Sequence, residues 1–348
     1  MVVDATIRLL DDLVAIDSVN PSLVPGARGE GEAARRIAEE CASAGLVVEI
    51  AEAAPGRPNV VAVLEGRVYG RGAQDMKGGL AAMLGAARAL AEGGGLPRGS
   101  LIIAAVVDEE HASLGAEALV EKWRADAAVV TEPTDLDVAI AHKGFQWIEI
   151  ETRGRSAHGS RPDDGRDAIL RMGRVLGRLE SLDRQLQARP AHPLLGTASL
   201  HASTVAGGVE WSSYPDRCRL QVERRTLPGE PPGAGLEEAV AILDELRHDD
   251  REFEGDARLI FGRGPYEIDR AHMLPAALVG AAASVGRQAR QVGMTFWSDA
   301  AILGAAGIPS VLFGPGGAGL HSLEEYVRVE DVLLCRDALV ALAREFTR

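Results

Sequence analysis

Four places in the sequence set a carboxylate or an imidazole at the end of a predicted strand or in the adjoining loop. They are Asp75 in GRGAQDMKGG, Asp108-Glu109-Glu110 after LIIAAVV, Glu132 in VVTEPT and His321 in GPGGAGLHS. In an open α/β sheet the carboxyl ends of the strands form the crevice where ligands bind. Carboxylates and an imidazole converging there make an oxygen and nitrogen donor set for a divalent metal, and the mixture suits zinc or cobalt. Turns and helix N-caps also favour Asp and Glu, so one such residue alone says little. All four at strand ends point to a site.

The elements that must position them follow from the hydrophobic pattern. Helical periodicity covers roughly residues 4–18, 30–45, 77–92 and 113–123, and apolar runs between them (VVEIAEA, NVVAVLEG, LIIAAVVDEE, DAAVVTEP) read as strands. Near-continuous apolar strands between amphipathic helices predict an α/β fold, a mostly parallel sheet with helices on both faces. After His142 the order becomes β-α-β-β-α-β, with helices near 164–187 and 233–248, which is a ferredoxin-like α+β arrangement. Ala168, Ile169, Met172, Val175, Leu176 and Leu179 form the apolar stripe of its first helix. The α/β pattern then resumes, with helices near 272–285 and 298–306 and from 329. The predicted organisation is an α/β domain of residues 1–140 and 261–348, interrupted by an inserted domain of residues 141–260.

Bulk properties narrow the class. The chain has 348 residues, 46% hydrophobic and 25% charged, with a formal charge of −14, which argues against nucleic acid or an anionic membrane surface as partner. Asp4, Arg8, Asp11 and Asp12 break the first twenty residues, which read as a helix with Ile7, Leu10, Leu13 and Val14 on one face rather than a leader or membrane span. Cys41, Cys218 and Cys335 are too few and too far apart for a disulfide framework, so they read as buried small hydrophobes in a reduced, cytoplasmic protein.

GRVYGRGAQDMKGG, VVDEEHASLGAEAL, VVTEPT, SAHGSRPDDGRDAI, ERRTLPGE and GPGGAGLHSLEEYV occur in a telling order and spacing. Together they resemble the zinc-dependent amidohydrolase and peptidase family (M20-type) of acetylornithine deacetylase, succinyl-diaminopimelate desuccinylase and carboxypeptidase G2. The likeness runs over nearly the whole chain, and DMKGG with DEE and TEPT is a specific combination. It implies a metal-dependent hydrolase that cleaves the amide of a small N-acyl amino acid. Asp75 resembles the carboxylate bridging two zinc ions, Glu110 and His321 ligands of one ion, and Glu132 a ligand of the other. Glu109 resembles the general base that takes a proton from the attacking water. His158 resembles the histidine that reaches into a partner subunit's site and steadies the oxyanion; without the resemblance, SAHGSRP reads as a polar turn. Arg225 matches an arginine that grips a substrate carboxylate through its planar fork, with Arg224 as the alternative. Gly316 and Gly317 are expected near the same carboxylate. Where the family often has an asparagine, WSSYPD has Ser212 and Ser213. The resemblance also implies a homodimer through the inserted domain, its edge strand paired.

The pattern is interrupted at one place. The family strand after an NVVA-type run leads to a second strand ending in His-x-Asp, whose histidine binds the first metal. Here NVVAVLEG runs straight into GRVYGRGAQDMKGG. Asp75, Glu110 and His321 still make three protein ligands, the usual count for a catalytic zinc with an open position, whereas the second ion keeps only Asp75 and Glu132. The expectation is two ions if the His-x-Asp segment belongs to the protein and one at most if it does not. The alternative function is a catalytically impaired dimeric relative. A nucleotide site is disfavoured: GPGGAG at Gly314–Gly319 matches G-x-G-x-x-G only formally, far from a first βα unit. His111 is expected to face away or cap the next helix.

Overall fold

The computed structural model describes residues 5–347 apart from 22, 23, 25, 44, 45, 65 and 323. The first part runs α1 (Ala5–Ala15), α2 (Gly31–Ser43), β1 (Val47–Ala54), β2 (Arg57–Leu64), β3 (Arg67–Tyr69), α3 (Gly78–Glu92), α4 (Leu114–Lys122), β4 (Ala128–Val130) and β5 (Val138–His142). The middle part is β6 (Gly144–Arg153), α5 (Ala168–Ala188), β7 (Ser199–Gly207), β8 (Arg217–Thr226), α6 (Ala234–Asp249) and β9 (Glu254–Arg263). The last is β10 (Tyr266–Glu267), α7 (Met273–Ser284), β11 (Gln291–Met294), α8 (Ala300–Ala305), β12 (Ser310–Leu312), β13 (Gly317–Ala318), β14 (Tyr326–Arg328) and α9 (Val329–Phe346).

The middle part has the expected order, and its sheet runs β7-β8-β6-β9, antiparallel throughout. The period-2 pattern of β6 explains why it lies flat: Ile148 and Ile150 are buried inward while Trp147 faces out. Helix α5 opens at Asp167, whose side chain accepts a hydrogen bond from the Leu170 amide, and lays Ala168, Met172, Val175 and Leu179 on that inner face. Ile169, read as part of the stripe, is exposed instead. A separate core gathers β5, β12, α3, α7 and α9, with Cys335 buried in it and Cys218 buried in the first.

Two expectations are corrected. The α/β part is mixed rather than mostly parallel: β11 with β5 and β4 with β12 are parallel, but β10 with β5 and β12 with β5 are antiparallel. The sheet β1-β2-β3-β14-β13 is antiparallel throughout. Its connections explain why. Two residues join β1 to β2 and two join β2 to β3, long enough for a hairpin and far too short for a parallel crossover. Of the β2–β3 boundary that the sequence singles out, Glu65 lies outside the described residues. LIIAAVV, read as a strand, forms none. A strand exists only by pairing, β4 hydrogen-bonds to β12 alone among the described strands, and Leu101, Ile102, Val106 and Val107 stay exposed. The one His-x-Asp tripeptide in the sequence, His248-Asp249-Asp250, closes α6, on the middle part of the chain.

The middle part joins the rest through very short links. Only Lys143 separates β5 from β6, and only Gly264 and Pro265 separate β9 from β10. Gly144 is required here, since a Cβ would lie 2.4 Å from Pro265 N and 2.5 Å from Arg263 O. This crossing fixes the ends of β6, β8 and β9 against the residues of the candidate site.

Candidate active site

Asp75, Glu110 and His321 come together. The His321 imidazole Nε2 lies 3.2 Å from Asp75 Oδ2 and 3.2 Å from Glu110 Oε1. Among the described residues these form the group of donors, all within 4.8 Å of one another, suited to hold a metal ion. Each is placed by irregular backbone. Asp75 sits in the turn Ala73–Lys77 that leads into α3. Glu110 lies inside a turn in which the Asp108 carbonyl accepts hydrogen bonds from the Ala112 and Ser113 amides. His321 follows β13 in the left-handed region, at φ 60°.

The residue that shapes the first of these turns is one the sequence did not reveal. The buried Glu325 carboxylate accepts from the amides of Gly72 (2.8 Å), Gln74 (3.0 Å) and Asp75 (3.0 Å). It anchors the Asp75 loop by charge-assisted hydrogen bonds. Glu325→Gln turns one accepting oxygen into a donor facing N–H groups, so a loss of about 1–3 kcal/mol is expected in urea unfolding. Glu324→Gln, at its exposed neighbour, is the control.

The electrostatics favour a cation. Burial, then the charges of Asp299, Glu110 and Asp75, push the Glu109 carboxyl up to about 8. Glu132, buried at the end of β4, is held well above the carboxylate range by burial and then by Glu109 and Asp75. Asp75 is raised by burial and by Glu110, partly offset by His321. Crowded carboxylates with an imidazole are a donor set that a divalent ion would neutralise, so the residues fit a metal. A stability prediction follows. Because the folded-state value of Glu109 lies above its ordinary 4.5, the metal-free fold is favoured at low pH and loses that contribution as pH rises through about 8. The melting temperature of EDTA-treated protein should fall from about pH 5 to pH 8, and the gain on adding zinc should grow over that interval. Equal zinc gains at both ends would refute this account.

Residues 47–345 match the model of peptidase family M20/M25/M40. The chain belongs to that family. It is 32% identical over 350 residues to an acetylornithine deacetylase of Myxococcus xanthus, covering 97% of this chain and 87% of the relative. A deformylase of N-formyl-4-amino-5-aminomethyl-2-methylpyrimidine from Bacillus subtilis is 29% identical over 295 residues, 77% of this chain and 69% of that one. Aminopeptidase PepT of Bacillus cereus superposes with a TM-score of 0.70 at 19% identity, covering 98% of this chain and 99% of that one. The family match and these relatives mark the chain as a hydrolase of the M20 group.

The other residues expected from the family are placed unevenly. A cleft of about 510 Å³ is lined by Asp75, Glu109, Glu110, Glu132 and His321, and also by Arg225. The two arginines separate cleanly. Arg224 is fully buried and ion-paired to Glu230 and Glu238, both at 2.8 Å, whereas Arg225 faces the cleft with its Nε donating to Glu223 at 2.7 Å. His158 is exposed, its Nδ1 2.8 Å from Ser160 Oγ, and is not among the lining residues. Gly316 and Gly317 do not line the cleft either. They let Arg328, Asp135 and Tyr326 approach, since a Cβ on Gly316 would lie 1.8 Å from the Arg328 guanidinium and one on Gly317 1.9 Å from the Tyr326 carbonyl. His111, expected to face away, stands on the rim of the cleft.

Proposed function

We propose that the chain is a metal-dependent amidohydrolase acting on N-acyl amino acids. In this reading residues 1–140 and 261–348 form the catalytic unit and residues 141–260 a dimerisation lid. The observation that carries it is geometric: Glu109 lines the same cleft as the Asp75–Glu110–His321 donors and Arg225. Asp75, Glu110 and His321 would hold zinc or cobalt, with Glu132 and Asp75 offering donors for a second ion. Once bound, the ion supplies Lewis acidity and a water nucleophile at neutral pH. Glu109 accepts the proton of the attacking water and passes it to the departing nitrogen, so the amine leaves neutral. Arg225 receives the substrate carboxylate and sets which carbonyl meets the water.

His158 is assigned to the site of a second copy. It bridges to Ser213 beside the exposed Val209 and Trp211, and the neighbouring strand β7 is an open sheet edge. Exposed apolar side chains beside an unpaired edge support pairing with a second copy. No helix among the described residues is long and apolar enough to cross a membrane, and with three unpaired cysteines we place the protein in the cytoplasm. The test is metal-stripped protein reloaded with zinc or cobalt and assayed on N-acetyl and N-succinyl amino acids, with light scattering alongside. We expect turnover and a dimer at micromolar concentration. No turnover with either metal would sink the catalytic reading, and a monomer would sink the role of His158.

A further inference from the structure

Aromatic rings collect in the candidate cleft. Phe145, Trp147, Phe261, Phe296 and Trp297 line it, five of the ten phenylalanines and tryptophans in a chain where aromatic residues are scarce. Four of them make a continuous platform. Ring centroids are 5.2 Å apart for Phe145–Trp147, 5.7 Å for Trp147–Phe261, 5.9 Å for Phe145–Phe261 and 6.1 Å for Phe145–Trp297. Trp147 is 39% exposed although it is the largest apolar side chain on β6. Its indole Nε1 donates to Glu223 at 2.9 Å, which fixes the ring.

The charges around the platform are as informative as the rings. Arg225 lies over Phe145 at 5.6 Å, and Arg263 over Phe261 at 5.1 Å and over Trp297 at 5.9 Å. The carboxylate beside them, Glu223, already receives Arg225 on one oxygen and Trp147 on the other. An ammonium-bearing side chain laid on these rings would meet two guanidinium groups, and the carboxylate beside them, Glu223, is already paired. A planar apolar ring would gain offset or edge-to-face contacts, and its carboxylate would lie next to Arg225.

We infer that the amino-acid part of the substrate carries an aromatic side chain, which packs on the Phe145–Trp147–Phe261–Trp297 platform while Arg225 takes its carboxylate. The inference rests on the amidohydrolase reading above and narrows its substrate to N-acyl aromatic amino acids. It makes Trp147 and Trp297 specificity-determining residues.

The experiment compares N-acetyl-L-phenylalanine, N-acetyl-L-alanine and N-acetyl-L-ornithine on the zinc-loaded protein, reading kcat/KM, with calorimetric binding of the same three compounds to EDTA-treated protein. We expect a preference of about tenfold or more for the phenylalanine compound over both others. Trp147→Ala and Trp297→Ala should each reduce the phenylalanine-to-alanine ratio severalfold through KM, and Trp147→Phe should restore most of it. A preference for the ornithine compound, or a ratio unmoved in both alanine variants, would overturn the inference. If none of the three compounds turns over, the amidohydrolase reading falls, and calorimetry then decides the platform. Selective binding of the phenylalanine compound supports it, and equal or absent binding overturns it.

Discussion

Glu109→Gln should lower kcat by about 10²–10⁴-fold while leaving metal content and fold unchanged. The substitution keeps the shape of the side chain and removes only its capacity to take a proton. Its neighbour supplies the contrast. Glu110 touches His321 and belongs to the donor group, so Glu110→Gln should cost bound metal, read by atomic emission, before it costs anything else. Adjacent residues on a regular strand would face opposite ways. Here the chain is not in a strand at 101–110, and both carboxylates line one cleft. Different defects from two neighbouring isosteric changes would separate a base from a ligand. If Glu109→Gln lost metal like Glu110→Gln, Glu109 would be a ligand and the proposed proton path would be wrong. If it retained most activity, the base would lie elsewhere.

What the sequence made legible divides along local and non-local lines. Helices announced themselves, because periodicity and caps such as Asp167 act within a few residues. The β-α-β-β-α-β order was equally readable, since β8 alternates along its length and β6 from Trp147 onward. Strand direction was not. An apolar run looks alike in a parallel or antiparallel ladder, and only the two-residue links from β1 to β3 imposed the antiparallel sense. LIIAAVV shows the same limit, having strand composition without a strand partner. In the site, the motifs single out Asp75, Glu110 and His321, and the fold brings these three together although LIIAAVV, ahead of Glu110, is no strand. Glu325 was not, because nothing local distinguishes it from Glu324. Its role comes from a loop some 250 residues earlier in the chain. Gly316 and Gly317 are expected near the substrate's carboxylate, and the structure sets them beside Arg328 and Tyr326, where glycine lets backbone and side chain pass closely.

Arg225→Ala should raise KM for an N-acyl amino acid by about 30-fold or more, the equivalent of roughly 2–5 kcal/mol for removing the partner of a buried carboxylate. The effect depends on the carboxylate being present. For the corresponding N-acyl amino acid amide, which offers no anion, the change should be several times smaller. Arg225→Lys should recover only part of the loss, because an ammonium is a point charge and cannot reproduce the fork that Glu223 and the Phe145 ring now orient. Arg224 gives the opposing result. Its guanidinium is fully buried between Glu230 and Glu238, so Arg224→Ala strands two carboxylates and should cost about 3–5 kcal/mol of stability rather than substrate affinity. Steady-state kinetics on the acid and its amide, set beside urea unfolding of both variants, would tell the two arginines apart. Equal loss on acid and amide in Arg225→Ala would assign that residue to holding β8 against Phe145, and the substrate's carboxylate would then need another partner in the cleft, with Arg263 the next cation on its wall.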